Sequence, residues 1–531
     1  MISLSLRKLL SQMKRILTLS VAVFSAITFN AQVEEKKLDE LIQNTLQTFD
    51  VPGMSVGVIK DGKTVYSKGF GQRSLNNGQP MNEETLVGIA SNSKGFTCVA
   101  LAILADEGKL SWDDKVTKHI PEFQMYDPFV TSQITIKDLV THRSGLGLGQ
   151  GDLMFFPEGG SQTIQDIIHN VRYLKPENGF REVLDYNNIM FIVAGEVITR
   201  ISGKSWAEFV EEKILKPVGM TSSFGSYNRA ISRNSQNIID AHAPVNDKAV
   251  AVPHDWNETA NAAGGIMSNV QDMMTWADCL INGFKTKDGK KLVSDKQIQQ
   301  LWQTQQPSPI ALQNAYDSKF YGYGLGWFLS DVKGHQQIQH TGGLIGTVTQ
   351  FTVIPTLKLG IVVLTNQQSG AAFNTITNTI KDSYLGIDDR SWLKTYSERM
   401  SKANATYAKQ KEEAYAQSVI FTKNKNLHPK EEQFTGTYKD NWFGEVYITK
   451  DGKYFRIQCQ TSPRLKGQLL PYSNNTFIIK WDDRSYDADA FINFHYDEKG
   501  IAQSASIKAI SDITDFSFDF DDLDLKKVQK K

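Results

Sequence analysis

Residues 88–110 read GIASNSKGFTCVALAILADEGKL. Ser91 stands three residues before Lys94, where a strand-like TLVGIA gives way to a nearly all-apolar run that stops at Gly108. The run is too long for a strand and predicts a buried helix. A serine at its N-terminus sits where the helix dipole, equivalent to roughly half a positive charge, favours developing anions. A lysine three residues on shares that face, with Cβ atoms about 5–6 Å apart. Held against a dry core, such a lysine loses charge stabilisation and can accept the serine proton. The competing reading is a serine N-cap beside a solvated lysine.

The pattern S-x-x-K by itself decides nothing. It begins five times in the chain, at Ser5, Ser11, Ser91, Ser330 and Ser391, against roughly three matches expected from ordinary composition. Ser5 and Ser11 lie in a targeting-like segment. Ser330 is expected to end a strand in a charged loop, and Ser391 to start an exposed helix. Ser91 alone meets a buried apolar helix.

The 531 residues carry 58 basic and 58 acidic side chains. A net charge of zero offers nothing to nucleic acid or to an anionic membrane. Three widely spaced cysteines, Cys98, Cys279 and Cys459, make no disulfide framework and no metal-type spacing. Arg7, Lys8, Lys14 and Arg15 precede the apolar run ILTLSVAVFSAITF, and Ala31 follows it. That order predicts a signal peptide over 1–31, with Met1 or Met13 as the start, and export to the periplasm or medium. The run falls short of the ~20 residues of a spanning helix, so no membrane span is expected after its removal.

Beyond it, KLDELIQNTLQTF has helical spacing, and MSVGVIKDGKTVYSKGFG alternates around Asp61-Gly62 as a hairpin does. Helical patterns follow at IKDLVTH, QTIQDIIHNVRYL, NIMFIVAGEVITRIS, SWAEFVEEKIL and VQDMMTWADCLIN. Strands return at GYGLGWFLS, IQHTGG, TVTQFTVIP and LGIVVLTN. A helical middle between two sheet-forming ends predicts an α/β layer whose sheet pairs the start of the domain with its end. From about Arg390 a charged helix carries Trp392, Tyr396 and Met400 on one stripe, and NKNLHPKEEQ is a linker. Short alternating strands then predict a small all-β sandwich or barrel. The tail DFSFDFDDLDL reads as an edge strand. The expected divisions are an α/β domain over 34–389, a connector over 390–432 and an all-β domain over 433–531.

Two further fragments carry chemistry. LDYNNIMF places Tyr186 and Asn188 before an apolar helix, where a phenol can relay protons and an amide can hold both a lysine and a substrate carbonyl. The alternative is a helix-capping turn, and Y-x-N recurs at Tyr472 and Asn474. IQHTGGLIG holds His340, Thr341, Gly342 and Gly343. Consecutive glycines on a strand permit close approach by a ligand, and a backbone N–H there could join that of Ser91 in an oxyanion hole. The alternative is a β-bulge with a surface histidine.

In order and spacing, Ser91–Lys94, Tyr186–Asn188 and His340–Thr341–Gly342 resemble the three active-site elements of the serine β-lactamase and penicillin-binding protein superfamily. The likeness runs from about residue 36 to 385 and is nearest the class C-like, esterase and D-aminopeptidase branch. It implies an antiparallel sheet flanked by helices beside an all-helical lobe, with the site between them. It also implies Ser91 as the acylated nucleophile, Lys94 as its base, Tyr186 as proton shuttle, and Asn188 as the orienter of Lys94 and substrate. The N–H groups of Ser91 and Gly343 would form the oxyanion hole, with Thr341 and Gly342 beside substrate. No cofactor or metal is implied. The substrate would be a small molecule or peptide, with D-amino-acid peptides favoured. A D,D-carboxypeptidase, a weak β-lactamase, or a penicillin-binding sensor that does not turn over are the alternatives.

His340 departs from the lysine that many β-lactamases and penicillin-binding enzymes carry. A histidine is mostly neutral above about pH 6.5 and offers no permanent charge to a substrate carboxylate. It could instead join the proton network of Ser91 and Lys94. The C-terminal region resembles the lipocalin-like domain appended to several such proteins, where it aids homo-oligomer assembly or covers the cleft; the alternative is a stability module. GLGLGQG does not fit a dinucleotide fingerprint, and His142 is expected to be structural and near the cleft entrance.

Overall fold

Residues 33–246, 248–253, 258–387, 390–423 and 429–529 are described in this computed structural model. The expected leader over 1–31 lies outside them. Helix α1 (Glu35–Thr48) buries Leu38, Ile42 and Thr45. Strands β1 (Gly53–Lys60) and β2 (Lys63–Gly71) follow as a hairpin. Asp61 and Gly62 turn it with φ of 51° and 74°, the backbone that an Asp-Gly hairpin turn supplies.

The apolar run after Ser91 is α2 (Ser93–Asp106), buried from Ser93 through Leu104. It packs with α3 (Ile189–Ser202) in the helical lobe, and α4 (Val270–Ile281) leads back to the sheet. The late strands are β3 (Gln306–Pro307), β4 (Tyr321–Tyr323), β5 (Phe328–Val332), β6 (His335–Leu344), β7 (Thr347–Ile354) and β8 (Leu359–Thr365). The antiparallel sheet runs β2-β1-β8-β7-β6-β5-β4-β3. β1 pairs with β8 inside the sheet, so the start of the domain is joined to its end as the pattern predicted. β1 is buried from Gly53 to Ile59 because helices cover both faces. On one face α4 comes so close that a Cβ on Gly57 would lie 2.7 Å from Val270 and Met274. On the other, Val56 and Ile361 share a core with Ile42 of α1 and Ile376 of α5 (Gly370–Tyr384).

Helix α6 (Trp392–Lys423) bridges the two parts of the molecule. Trp392 at its start joins the sheet core with Tyr396 and Met400 packed beside it. Its C-terminal half meets the second domain through Tyr415 Oη on Asp489 (2.6 Å) and Ser418 Oγ on the Pro471 carbonyl (2.7 Å). None of the described helices is long and apolar enough to cross a membrane.

The second domain is a closed barrel of eight strands: β9 (Gly436–Asp440), β10 (Gly444–Asp451), β11 (Tyr454–Cys459), β12 (Lys466–Pro471), β13 (Thr476–Trp481), β14 (Ala490–Tyr496), β15 (Ala502–Ala509) and β16 (Leu525–Lys527). Closure of β16 on β9 removes the open edges of the sheet. Hydrogen bonds from Ser161 N to the Thr461 carbonyl (2.8 Å) and from Gln162 Nε2 to the Trp442 carbonyl (3.1 Å) fasten it to the first domain.

Four expectations need correction. GYGLGWFLS is two strands, because Gly326 (φ 84°) breaks the run and Gly324 N bonds back to the Trp327 carbonyl at 2.9 Å. IKDLVTH makes only one helical turn, Ile136–Leu139, since the chain reverses at His142 with φ 53°. Ser330 sits inside β5, its hydroxyl 3.3 Å from Gln337 Nε2, rather than at a strand end. The tail after Asp515 is a series of turns until β16, and β16 closes the barrel instead of lying at an edge. Its carboxylates explain the turns: Asp515 accepts from Ser517 N (2.9 Å) and Asp519 from Gly151 N. Such side-chain bonds compete with a strand ladder. The alternating Phe518 and Phe520 are buried all the same.

Candidate active site

Ser91 lies in a 3₁₀ turn, Ala90–Asn92, that runs directly into α2. Ala90 has φ 50°, a left-handed conformation that costs a non-glycine residue about 1–2 kcal/mol. The surroundings impose it. Ile89 N bonds the Ile266 carbonyl (2.9 Å), and the Ile89 carbonyl accepts from Thr349 Oγ1 of β7 (3.0 Å). Asn92 Nδ2 reaches the same threonine at 2.9 Å. On β6 a Cβ at Gly342 would fall 2.2 Å from the Ile89 oxygen, so only glycine lets this strand lie against the turn.

Lys94 is fully buried, and its Nζ has three neighbours: Ser91 Oγ at 2.9 Å, Asn188 Oδ1 at 2.7 Å and the Ala263 carbonyl at 2.9 Å. A neutral amine has two N–H bonds and one lone pair. Two of the three neighbours can only accept, so they take the two N–H bonds and the lone pair is left for the Ser91 hydroxyl. Burial drives the Lys94 pKa down to about 7, against the opposing pull of the Asp152 carboxylate. The solvated-lysine alternative is thereby removed.

Tyr186 closes the other side. It lines the same cavity as Ser91, and burial raises its pKa so that its phenol stays protonated. Its ring centroid lies 4.9 Å from Lys94 Nζ. Behind it His142 stacks at 4.2 Å, with Nδ1 accepting from Asn187 N at 3.0 Å. His142 is thus a buried backing for Tyr186 rather than a residue of the cleft entrance.

His340 lines the cleft, yet its ring bonds elsewhere. Nε2 lies 3.1 Å from Tyr323 Oη, and Nδ1 lies 2.6 Å from the Thr341 carbonyl. Burial pushes its pKa down to about 3. It is a neutral imidazole tied to β4, and its hydrogen bonds do not join those of Ser91 and Lys94. β5 pairs with β6 only as far as Phe328 opposite Gln339, so His340–Leu344 have β7 on one edge and no strand on the other. Thr341, Gly342 and Gly343 line the cavity there. A Cβ on Gly343 would meet nothing within 4 Å.

The cavity has a volume of about 580 Å³. Ser91, Tyr186 and Asn188 form its floor, and Phe155, Phe156 and Phe373 are among its apolar walls. Asp515, Phe516 and Ser517 of the second domain complete it. Among the described residues its lining contains one carboxylate, Asp515, and no arginine or lysine. Among the described residues no group of His, Cys, Asp and Glu side chains could hold a metal ion.

All eight residues singled out from sequence therefore surround one cavity, except that Lys94 sits beneath its floor. Four contributors were not legible. Asp152 accepts from Asn188 Nδ2 at 2.7 Å and follows the GLGLGQG stretch, whose only sequence signal was its glycines. Ala263 acts through its carbonyl, which leaves no trace in residue type. Tyr323 lay in a segment read only as strand. The 515–517 turn arrives from another domain.

Residues 38–385 match the Beta-lactamase family, and residues 423–527 match a domain of unknown function, DUF3471. Unguisins hydrolase ungD' of Aspergillus campestris is 28% identical over 387 residues, 70% of each chain. Protein flp of Staphylococcus aureus is 26% identical over 337 residues, 63% of this chain and 64% of its own. In structure, the octameric penicillin-binding protein homologue from Pyrococcus abyssi aligns with a TM-score of 0.59 at 22% identity, covering 90% of this chain and 98% of its own. A class C β-lactamase aligns at 0.53 and 22% identity, covering 66% and 95%. These last two show the fold, including the antiparallel sheet flanked by helices. Since the family match takes in most of the chain and its Ser–Lys dyad is in place, the protein belongs to the Beta-lactamase family of serine hydrolases.

Proposed function

We propose that the protein is acylated on Ser91 and cleaves a peptide, amide or ester bond in a substrate without an essential carboxylate, with D-amino-acid peptides as the leading class. The carrying observation is the three-neighbour arrangement at Lys94 Nζ, which aims its lone pair at Ser91 Oγ. Lys94 takes the Ser91 proton as Oγ attacks the acyl carbon, and the carbonyl electrons move to oxygen. The N–H groups of Ser91 and Gly343 receive that oxyanion; one such donor typically accounts for about 10²–10³ in rate. Tyr186 passes the proton to the leaving group, the carbonyl reforms, and the acyl-enzyme remains. Water then enters by the reverse relay. The unpaired edge of β6 supports an extended substrate lying beside it.

The charge of the cleft supports the choice of substrate. A cavity whose described lining holds one carboxylate and no arginine or lysine suits a neutral or amine-bearing group better than a carboxylate-ended peptide or a penicillin. The name of the unguisins hydrolase supports hydrolysis as the outcome. Export rests on the leader pattern over 1–31 alone.

Intact-protein mass after a fluorophosphonate and, separately, a penicillin tests the reading, with Ser91→Ala in parallel. Wild type should take one fluorophosphonate and the variant none. D- and L-aminoacyl p-nitroanilides then rank stereochemistry. A persistent penicillin adduct would favour the sensor reading, and no adduct with either reagent would sink the assignment of Ser91. N-terminal sequencing of protein recovered outside the cell tests the leader.

A further inference from the structure

We propose that Asp152 is a positioning residue for the Ser91–Lys94 dyad, and that Ser517 of the C-terminal barrel holds it in place, so that the barrel completes the catalytic centre of the same chain. This rests on the reading of Ser91 and Lys94 as the reacting pair.

An unbroken path of hydrogen bonds joins the barrel to the nucleophile. Ser517 Oγ donates to Asp152 Oδ2 at 2.8 Å, and Asn188 Nδ2 donates to the same oxygen at 2.7 Å. Asn188 Oδ1 accepts from Lys94 Nζ at 2.7 Å, and Nζ lies 2.9 Å from Ser91 Oγ. The order of donors matters. A side-chain amide has nearly the same shape when flipped, and only its partners choose which end faces which way. Burial pushes the Asp152 pKa up to about 7. Above that, where Lys94 is neutral as well, the Asp152 carboxylate accepts and does not donate, so it draws the NH₂ end of Asn188 and leaves the amide oxygen to Lys94. With the amide reversed, Lys94 would face a donor, and its lone pair would turn to Asn188 instead of Ser91.

Asp152 is not spoken for by a structural ion pair. It is fully buried, forms no salt bridge among the described residues, and its Oδ1 has no hydrogen-bond partner. Burying a carboxylate in that state is costly. The barrel segment is shaped around it. Asp515 turns the chain by accepting from Ser517 N, Asp519 accepts from Gly151 N, and Phe518 packs edge-on against Phe156 at 5.0 Å. The residue before Asp152 and Asp152 itself are therefore both held from the barrel.

The test uses the full chain with Asp152→Asn, Ser517→Ala and Ser517→Thr, and Ser91→Ala as the control for the dyad itself. The readouts are the second-order rate of fluorophosphonate labelling and kcat and KM on a p-nitrophenyl ester, each from pH 5 to 10. Asp152→Asn should label about 10²-fold more slowly and Ser517→Ala about 10-fold, mostly in kcat, while Ser517→Thr restores the hydroxyl and most of the rate. The groups around the pair are Cys98 on α2, Tyr186, His142 and His340 near Lys94, and Asp515 and Asp519 near Asp152. Loss of the Asp152 charge removes the attraction that holds the proton on Lys94, so the acid limb of Asp152→Asn should move to lower pH. Labelling of Asp152→Asn and Ser517→Ala within twofold of wild type, with the acid limb unmoved, would overturn the proposal. So would losses that merely follow a lowered melting temperature or persist in Ser517→Thr. Failure of wild type to label at Ser91 would instead overturn the reading on which it rests.

Discussion

Nε2 of His340 lies 3.1 Å from the hydroxyl of Tyr323, while its Nδ1 faces the Thr341 carbonyl at 2.6 Å. The imidazole is therefore Nδ1-protonated and accepts from Tyr323, with its pKa held near 3 by burial. A residue that stays neutral across the working range cannot shape the pH profile. Tyr323→Phe should leave the acid limb of the pH–rate curve in place. Removing the donor leaves Nε2 buried and unsatisfied, so the variant should lose about 1–3 kcal/mol in denaturant unfolding. A displaced acid limb would show that His340 does titrate in the reaction.

Lys94 sets the pH dependence. Its pKa in the fold, about 7, is far below the ordinary lysine value, so the neutral amine is the form the fold favours. Activity that needs the lone pair should rise as pH increases through about 7 and be lost below it. Stability has the same sign: the contribution of this group is present above the ordinary lysine range and is lost as pH falls through about 7. Lys94→Ala should slow fluorophosphonate labelling by about 10³-fold, as loss of a general base does. Labelling of the variant at the wild-type rate would show that another group takes the proton.

Adjacent glycines on β6 should respond oppositely. A Cβ on Gly342 meets the Ile89 oxygen at 2.2 Å, whereas one on Gly343 meets nothing within 4 Å. Gly342→Ala should cost about 1–3 kcal/mol of stability and displace the Ser91 turn. Gly343→Ala should stay within about 0.5 kcal/mol of wild type. Its methyl group points into open space beside the cavity, so its effect should be read in KM or kcat. Equal melting temperatures for the two variants would contradict this placement.

Phe516 belongs to the barrel but stands 6.1 Å from the Tyr186 ring, half exposed over the cavity. Phe516→Ala should raise KM for substrates with bulky acyl groups by about 10-fold, in line with the 1.5–3 kcal/mol of a large apolar contact. Small p-nitrophenyl esters should be little affected. An equal change for both would mean that the ring supports the fold and does not contact substrate.

Much of the site was legible because its chemistry is local. A serine and a lysine one helical turn apart, followed by uninterrupted apolar residues, specify a buried dyad wherever that helix is packed. Tyr186 with Asn188, and His340 with its glycines, were visible for the same reason: each set is carried on one short segment. The central strands were legible too, since β1 and β8 are apolar on both faces. Periodicity failed where a glycine or a carboxylate redirected the backbone, at Gly326 and along Asp515–Asp519.

Protonation and orientation were decided elsewhere. Residue types alone left Lys94 as either a solvated cation or a base, and His340 as either a proton carrier or a surface group. The answers came from partners contributed by distant parts of the chain: the Ala263 carbonyl and Asp152 behind Asn188 as acceptors, and the Tyr323 hydroxyl as donor to His340. A pKa depends on what lies within a few ångströms and on how much water is excluded, and both are properties of packing between segments. The amino-acid sequence by itself determined which groups could react; the fold, by bringing the second domain and the helical lobe onto the sheet, decided which way their protons face.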